Sequence, residues 1–200
     1  MVSQWITGEE SRAEVHRLRA RSSAVLTGSG TVLADDPSLN ARPADIDDFV
    51  PPVRVVLDSS LRTSPQAKLF SVEGPILICH ASDDEEKAAA LTAAGAELMQ
   101  VPAHRPGEVK LDLTLQQLGE YGLNDILVES GSLLNAGLLD DYLIDELIVF
   151  QAGCVLGDTA QGMFGLEPLA SLKDRYEFEL QDVRRFGPDV RMIWRTLRAD

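Results

Sequence analysis

Apolar residues in this chain come in short, nearly unbroken runs separated by polar stretches of helical period. The runs are SAVLT at 23–27, VRVVLD at 53–58, PILICH at 75–80, AELMQVP at 96–102, DILVESG at 125–131 and DELIVFQAG at 145–153. Strands that bury both faces read this way, whereas a half-exposed sheet alternates. The tail does alternate, over 176–186 and 189–197 with FGPDV between. That pattern predicts an antiparallel pair.

Helices are predicted between the runs. Thr7 and Glu10 have the T-x-x-E spacing of a capping box, so a helix is expected over 8–21. SDDEEKAAALTAAGAE at 82–97 has an acidic start and a glycine stop, which suits the helix dipole. Further helices are expected near 112–121 and at 132–143. A short helix beginning at Gly30 or Thr31 stops at Pro37, and 40–52, with Pro43, Pro51 and Pro52, is loop. Strands alternating with helices define one α/β domain over 1–200, with a mixed, mostly parallel sheet and the antiparallel C-terminal pair at its edge.

Composition removes several function classes. A net charge of −14 opposes nucleic-acid binding. No apolar run approaches the ~20 residues of a membrane span, and no signal-peptide pattern opens the chain, so a cytoplasmic location is expected. Cys79 and Cys154 form no CxxC, and His16, His80 and His104 lack ligand spacing; no metal site is expected. Against the acidic background, Arg12, Arg17, Arg19 and Arg21 crowd into ten residues. They are either a small-anion site or a solvated helix face with ion pairs.

In a parallel sheet, ligands bind beyond the carboxyl ends of the strands. Three strand ends carry polar groups: Asp58, Ser59 and Ser60; Glu129, Ser130, Gly131 and Ser132; and Gly28, Gly30, Thr31, Asp35 and Asp36. A helix opening at Gly131 aims free N–H groups above the sheet, and glycine permits close approach of a phosphate. The alternative is a plain strand-to-helix turn capped by Ser130 or Ser132. Only one of the adjacent acids Asp35 and Asp36 is expected to face a site, and Trp5, taken alone, reads as a core residue.

Taken together, SQWITGEESR, TVLADDPSLNAR, VRVVLDSSLR and DILVESGSLLNAG resemble the reductase domain of the bifunctional riboflavin-biosynthesis deaminase/reductase. The resemblance runs in blocks from Ser3 to about Gly157, and more loosely to Val190. It implies a dihydrofolate-reductase-like three-layer fold. It also implies NADPH-dependent reduction of 5-amino-6-(5-phosphoribosylamino)uracil to its ribitylamino product. By position, Ser3, Arg19, Leu39, Arg42 and Glu129 match the substrate contacts. Trp5, Thr31, Asp35, Ser59, Gly131, Ser132, Leu133 and Leu134 match the cofactor contacts. Glu129 and Asp35 are the candidates for proton transfer, and Arg62 is the expected partner of the 2′-phosphate. A homodimer and a covalently linked deaminase domain are further expectations.

The family pattern places a strand with a lysine and an SLDG-like turn ahead of Ser3, so the chain is expected to be a fragment lacking that strand. No His-x-Glu with Pro-Cys-x-x-Cys, the deaminase signature, occurs in it. Two other readings stay open. One is a dihydrofolate-reductase-like oxidoreductase with another pterin or pyrimidine substrate. The other is a non-catalytic dimerisation piece.

Overall fold

A computed structural model of the protein describes residues 5–46, 48–105, 107–157 and 159–197. Helix α1 (Glu9–Arg21) leads into β1 (Ala24–Gly28), α2 (Ser29–Asp35) and β2 (Val53–Leu57). Next come β3 (Ile76–His80), α3 (Glu85–Ala93), β4 (Glu97–Gln100) and a small hairpin of β5 (Ala103–Arg105) and β6 (Glu108–Val109). After α4 (Leu111–Glu120), β7 (Ile126–Val128) and α5 (Ser132–Asp140), the chain ends in β8 (Glu146–Gln151), β9 (Phe178–Phe186) and β10 (Asp189–Thr196).

Five strands form a parallel sheet in the order β4-β3-β2-β1-β7. Both faces are covered, which explains the unbroken apolar runs. Leu26, Val55, Leu57 and Leu77 pack on one face with Leu118 of α4 and Leu134 of α5. Val56, Ile76 and Ile78 pack on the other with Val32 of α2 and Leu91 of α3. Each such fully buried aliphatic side chain contributes about 1.5–3 kcal/mol. Arg54, the one arginine or lysine inside a run, is buried, and its guanidinium donates to the carbonyls of Leu69, Val72 and Gly74. A buried charge is tolerated when its donors are satisfied in this way.

Three expectations are corrected. The C-terminal pair is not an edge of the parallel sheet. It joins β8 in a separate antiparallel sheet of order β8-β10-β9, because β8 finds its ladder partner in β10 rather than in β7. The apolar pattern of a strand specifies burial and leaves its partner open. The T-x-x-E box does not form either: the N-cap of α1 is Gly8, with no capping side chain of its own. Asp189, 181 positions away, replaces it, its Oδ2 accepting Gly8 N–H at 2.7 Å and Ser11 Oγ–H at 2.6 Å. Finally, Trp5 is not a core residue. It is 80% exposed, with the Arg12 guanidinium 4.2 Å from its ring centroid.

The two larger sheets leave a slot between them. β7 ends one and β8 begins the other, and among the described residues no hydrogen-bonded ladder joins the two strands. The slot has a volume of about 1380 Å³ and is lined by Ile126, Leu127 and Val128 on one side and Leu147, Val149 and Phe150 on the other. These residues are only half-buried, whereas every residue of β3 is buried.

Candidate active site

Because β1 and β7 are adjacent and parallel, the turns leaving them lie side by side. A Cβ built on Gly131 would stand 3.7 Å from Thr31 Oγ1, and one built on Gly28 3.4 Å from Leu134 Cδ2. Both are ordinary contact distances, so glycine at 131 leaves a gap of about one methyl group between α2 and α5 rather than relieving a clash. Gly131 is the N-cap of α5 and offers no capping side chain, so the first N–H groups of that helix stay available to an anion. Ser132 Oγ accepts from Gln161 Nε2 at 2.9 Å, and the Ser132 carbonyl accepts Gly165 N–H at 3.0 Å. Leu133 beside them is 81% exposed.

The loop after β2 closes the next side. Arg62 Nη2 donates to Ser29 Oγ at 2.9 Å, and Ser59 Oγ donates to the Gly107 carbonyl at 2.6 Å. Two buried oxygens at these strand ends, Thr27 Oγ1 and Asp58 Oδ1, have no hydrogen-bond partner among the described residues. Of the paired acids, Asp36 serves the backbone. It ends α2 at φ +44°, and its Oδ1 accepts Lys68 N–H at 2.7 Å. Asp35 is exposed, and its carboxylate makes no hydrogen bond or ion pair among the described residues.

On the other flank, Arg19 of α1 grips Glu129 at the end of β7. Nε donates to Oε1 at 2.7 Å and Nη2 to Oε2 at 2.6 Å. The Arg19 side chain is 14% exposed and that of Glu129 26%. Glu129 is held on the sheet by its own N–H, which donates to the Leu26 carbonyl at 2.9 Å. Arg19 Nη1 also donates to the Asn40 carbonyl at 2.8 Å, tying down the loop of Leu39 and Arg42. Leu39 is buried in the left-handed region at φ +52°. The Arg42 guanidinium makes no hydrogen bond or ion pair among the described residues and is exposed.

The structure thus brings Arg19, Leu39, Arg42 and Glu129 together on one side, and Thr31, Gly131, Ser132, Leu133 and Leu134 on the other. Ser3 lies outside the described residues. His16, which the sequence presents as an isolated histidine, belongs to the first group: its Nδ1 accepts Arg42 N–H at 3.3 Å. The signal for it was the three-residue spacing from Arg19, which puts both on one helix face. Burial, together with Arg19 and Arg42, holds the His16 imidazole below its ordinary pKa. Gln161 is a second residue that sequence reasoning missed; nothing in its sequence neighbourhood ties it to Ser132. Among the described residues no group of three or more His, Cys, Asp or Glu is placed to hold a metal, and no helix is long and apolar enough to cross a membrane.

A doubly covered parallel sheet with glycine turns and an arginine-clamped acid at its carboxyl ends defines an α/β domain with a ligand cleft at its strand ends. The chain belongs to the RibD C-terminal domain family, whose model matches residues 1–192. Riboflavin biosynthesis protein RibD of Escherichia coli is 35% identical over 94% of this chain and 53% of its own length. The 5-amino-6-(5-phosphoribosylamino)uracil reductase of Buchnera aphidicola subsp. Acyrthosiphon pisum is 29% identical, over 96% of this chain and 95% of its own. Among solved structures, RibD of Acinetobacter baumannii superposes with a TM-score of 0.82 at 30% identity, covering 98% of this chain and 53% of that one. The fold is dihydrofolate-reductase-like. The chain spans about half the length of the RibD relatives it matches.

Proposed function

We propose that this domain reduces the ribosyl group of 5-amino-6-(5-phosphoribosylamino)uracil to the ribitylamino product. The observation that carries the reading is the joining of two features at neighbouring strand ends: the open N-terminal turn of α5 and the Arg19–Glu129 clamp. The residues present fit a dinucleotide. Glycine at 131 leaves room beside Thr31, the α5 N–H groups suit a pyrophosphate, and Arg62 stands ready for a 2′-phosphate. Trp5, Thr31, Asp35, Ser59 and the Gly131–Leu134 turn would hold the cofactor, NADPH, which when bound supplies hydride.

The chain's own residues bind and orient. In the ring-opened substrate, C1′ is doubly bonded to the nitrogen that the ribitylamino product keeps. Hydride adds at C1′, and the electron pair of the broken π-bond takes a proton at the heteroatom. Arg42, whose guanidinium has no partner among the described residues, takes the phosphate by charge-assisted bonds. Arg19 uses three of its five N–H donors on Glu129 and Asn40, which leaves two for substrate. Held in one orientation, Glu129 accepts hydrogen bonds from the pyrimidine side or relays the proton. Fixing the reacting atoms in this way is itself a large part of the rate.

The same reading includes a further strand in the slot between β7 and β8, where both strand edges are unpaired among the described residues, and a deaminase domain linked to this one in the whole protein. It also includes a cytoplasmic homodimer, for which the edge of β9 that is unpaired among the described residues, with exposed Leu180 and Val183, is suited. The test is a titration with NADPH and with NADH followed by tryptophan fluorescence, then a single-turnover reaction with the phosphorylated substrate. Saturable binding favouring NADPH, followed by hydride transfer, is expected. Absence of both overturns the reading.

A further inference from the structure

The face of α1 that meets Glu129 also carries a loop. Arg19 Nη1 holds the Asn40 carbonyl at 2.8 Å and His16 Nδ1 holds the Arg42 N–H at 3.3 Å. One residue along, Arg17 Nε reaches Asp45 at 2.9 Å. Within this stretch Leu39 is buried at φ +52°, a backbone conformation that costs a branched side chain about 1 kcal/mol or more. Such a conformation persists only where the surroundings hold it. The backbone is therefore fixed on both sides of Ala41, while the Arg42 guanidinium is left unpaired among the described residues.

A backbone pinned around a free cation is the arrangement of a presented anion contact. Arg19 cannot supply the second pin, because the Arg42 N–H needs an acceptor and a guanidinium carries only donors. His16 supplies it, and only while Nδ1 carries a lone pair, with the ring proton on Nε2. We infer that His16 is a positioning residue whose neutral imidazole latches the backbone of Arg42, and that its protonation releases the loop presenting that arginine to an anionic substrate group. The identity of that group as a phosphate rests on the function proposed above.

The groups facing the ring agree with a neutral latch. Burial, Arg19 and Arg42 oppose protonation, while the Asn40 backbone and Glu129 favour it; the first set prevails. On acidification a second N–H would face the Arg42 N–H, donor against donor. A new positive charge would also arise beside Arg42. If His16 instead touched the substrate phosphate directly, the same charge would strengthen binding, so the two roles have opposite signs.

The test follows KM for the phosphorylated substrate and amide hydrogen exchange at Arg42, from about pH 5 to 8. It uses the unmodified protein, His16→Asn and His16→Ala. Asparagine keeps an acceptor and does not titrate. Dividing by its profile removes the ionisation of the substrate phosphate, which lies near pH 6, and the intrinsic pH dependence of exchange. Relative to His16→Asn, the unmodified protein is expected to lose Arg42 protection and gain about three- to tenfold in KM as the pH falls. His16→Ala is expected to show both defects at every pH, and His16→Asn to restore both near neutrality. Unchanged protection and KM in His16→Ala overturn the inference, and so does a KM that falls on acidification relative to His16→Asn. If protection responds as expected while KM does not, the latch stands and the assignment of Arg42 to the substrate falls.

Discussion

Arg19 and Glu129, 110 positions apart in sequence, meet through two nearly parallel hydrogen bonds of 2.7 and 2.6 Å. The pair fastens α1 to the end of β7 and sets the direction of the carboxylate. Its geometry needs the planar fork of a guanidinium. Arg19→Ala should lower stability by about 1–3 kcal/mol, because it leaves a part-buried carboxylate without its donors. Substrate KM should rise with it. Arg19→Lys should recover part of the stability and little of the KM, since one ammonium cannot grip both oxygens and Asn40. Denaturant melts and steady-state kinetics of the two variants check this; a lysine variant with unaltered KM would refute the orienting role.

Asp189 caps α1 from the far end of the chain through Gly8 N–H and Ser11 Oγ–H. Next to it, Arg191 bridges Glu14 of α1 and Asp182 of β9. Asp189→Ala should cost about 1–3 kcal/mol, or several degrees in melting temperature for a domain of this size. Thr7→Ala should cost nothing through capping. Thermal melts of both variants decide between a distant cap and the local box suggested by the sequence.

Arg62 reaches Ser29 at the start of α2 and is otherwise exposed. If it receives the 2′-phosphate, Arg62→Ala should reduce the preference for NADPH over NADH about tenfold or more, the scale of one lost charge-assisted contact. The affinity for NADH should barely change. An unaltered preference would remove Arg62 from that role.

The slot between β7 and β8 leaves apolar residues of both strands half-buried and, among the described residues, two sheet edges unpaired. Unpaired buried backbone groups are costly. A longer chain that supplies an extended apolar segment there should melt several degrees higher and turn over faster than these 200 residues. Equal melting temperature and turnover for the two chains would count against the strand.

The two thiols should separate by reactivity. Cys154 is exposed, whereas Cys79 is buried in β3 and burial pushes its pKa up to about 12. Since thiolate is the reactive form, a thiol reagent should titrate one group in the native protein and both in denaturant. The sign for stability follows: the native state favours the neutral thiol. The contribution is intact below the ordinary thiol pKa of 9.0 and is lost as the pH rises from there toward about 12. Two fast thiols in the native state would contradict the burial of Cys79.

How much of the molecule is legible in the sequence differs from residue to residue. Val55, Val56, Ile78 and their neighbours announce a sheet covered on both faces, because burial on both sides removes every reason for alternation. The glycine at 131 and the acid at 129 announce a strand-to-helix turn at a ligand-binding edge, since both properties are local. The short hairpin β5–β6 is not legible, as two or three residues per strand show no period.

What the sequence by itself determined is therefore the local part: where apolar runs lie, where turns break them, and which chemical groups stand at strand ends. The tertiary structure alone decided the partners. It gave β8 to β10 rather than to β7, capped α1 with Asp189 rather than Thr7, and turned Trp5 outward under Arg12. It also set His16 and Arg19 against the Arg42 loop. The physical reason is that burial and turn formation are properties of a few adjacent residues. Pairing depends instead on hydrogen-bond edges and charges brought together from far along the chain, where no short-range pattern records them.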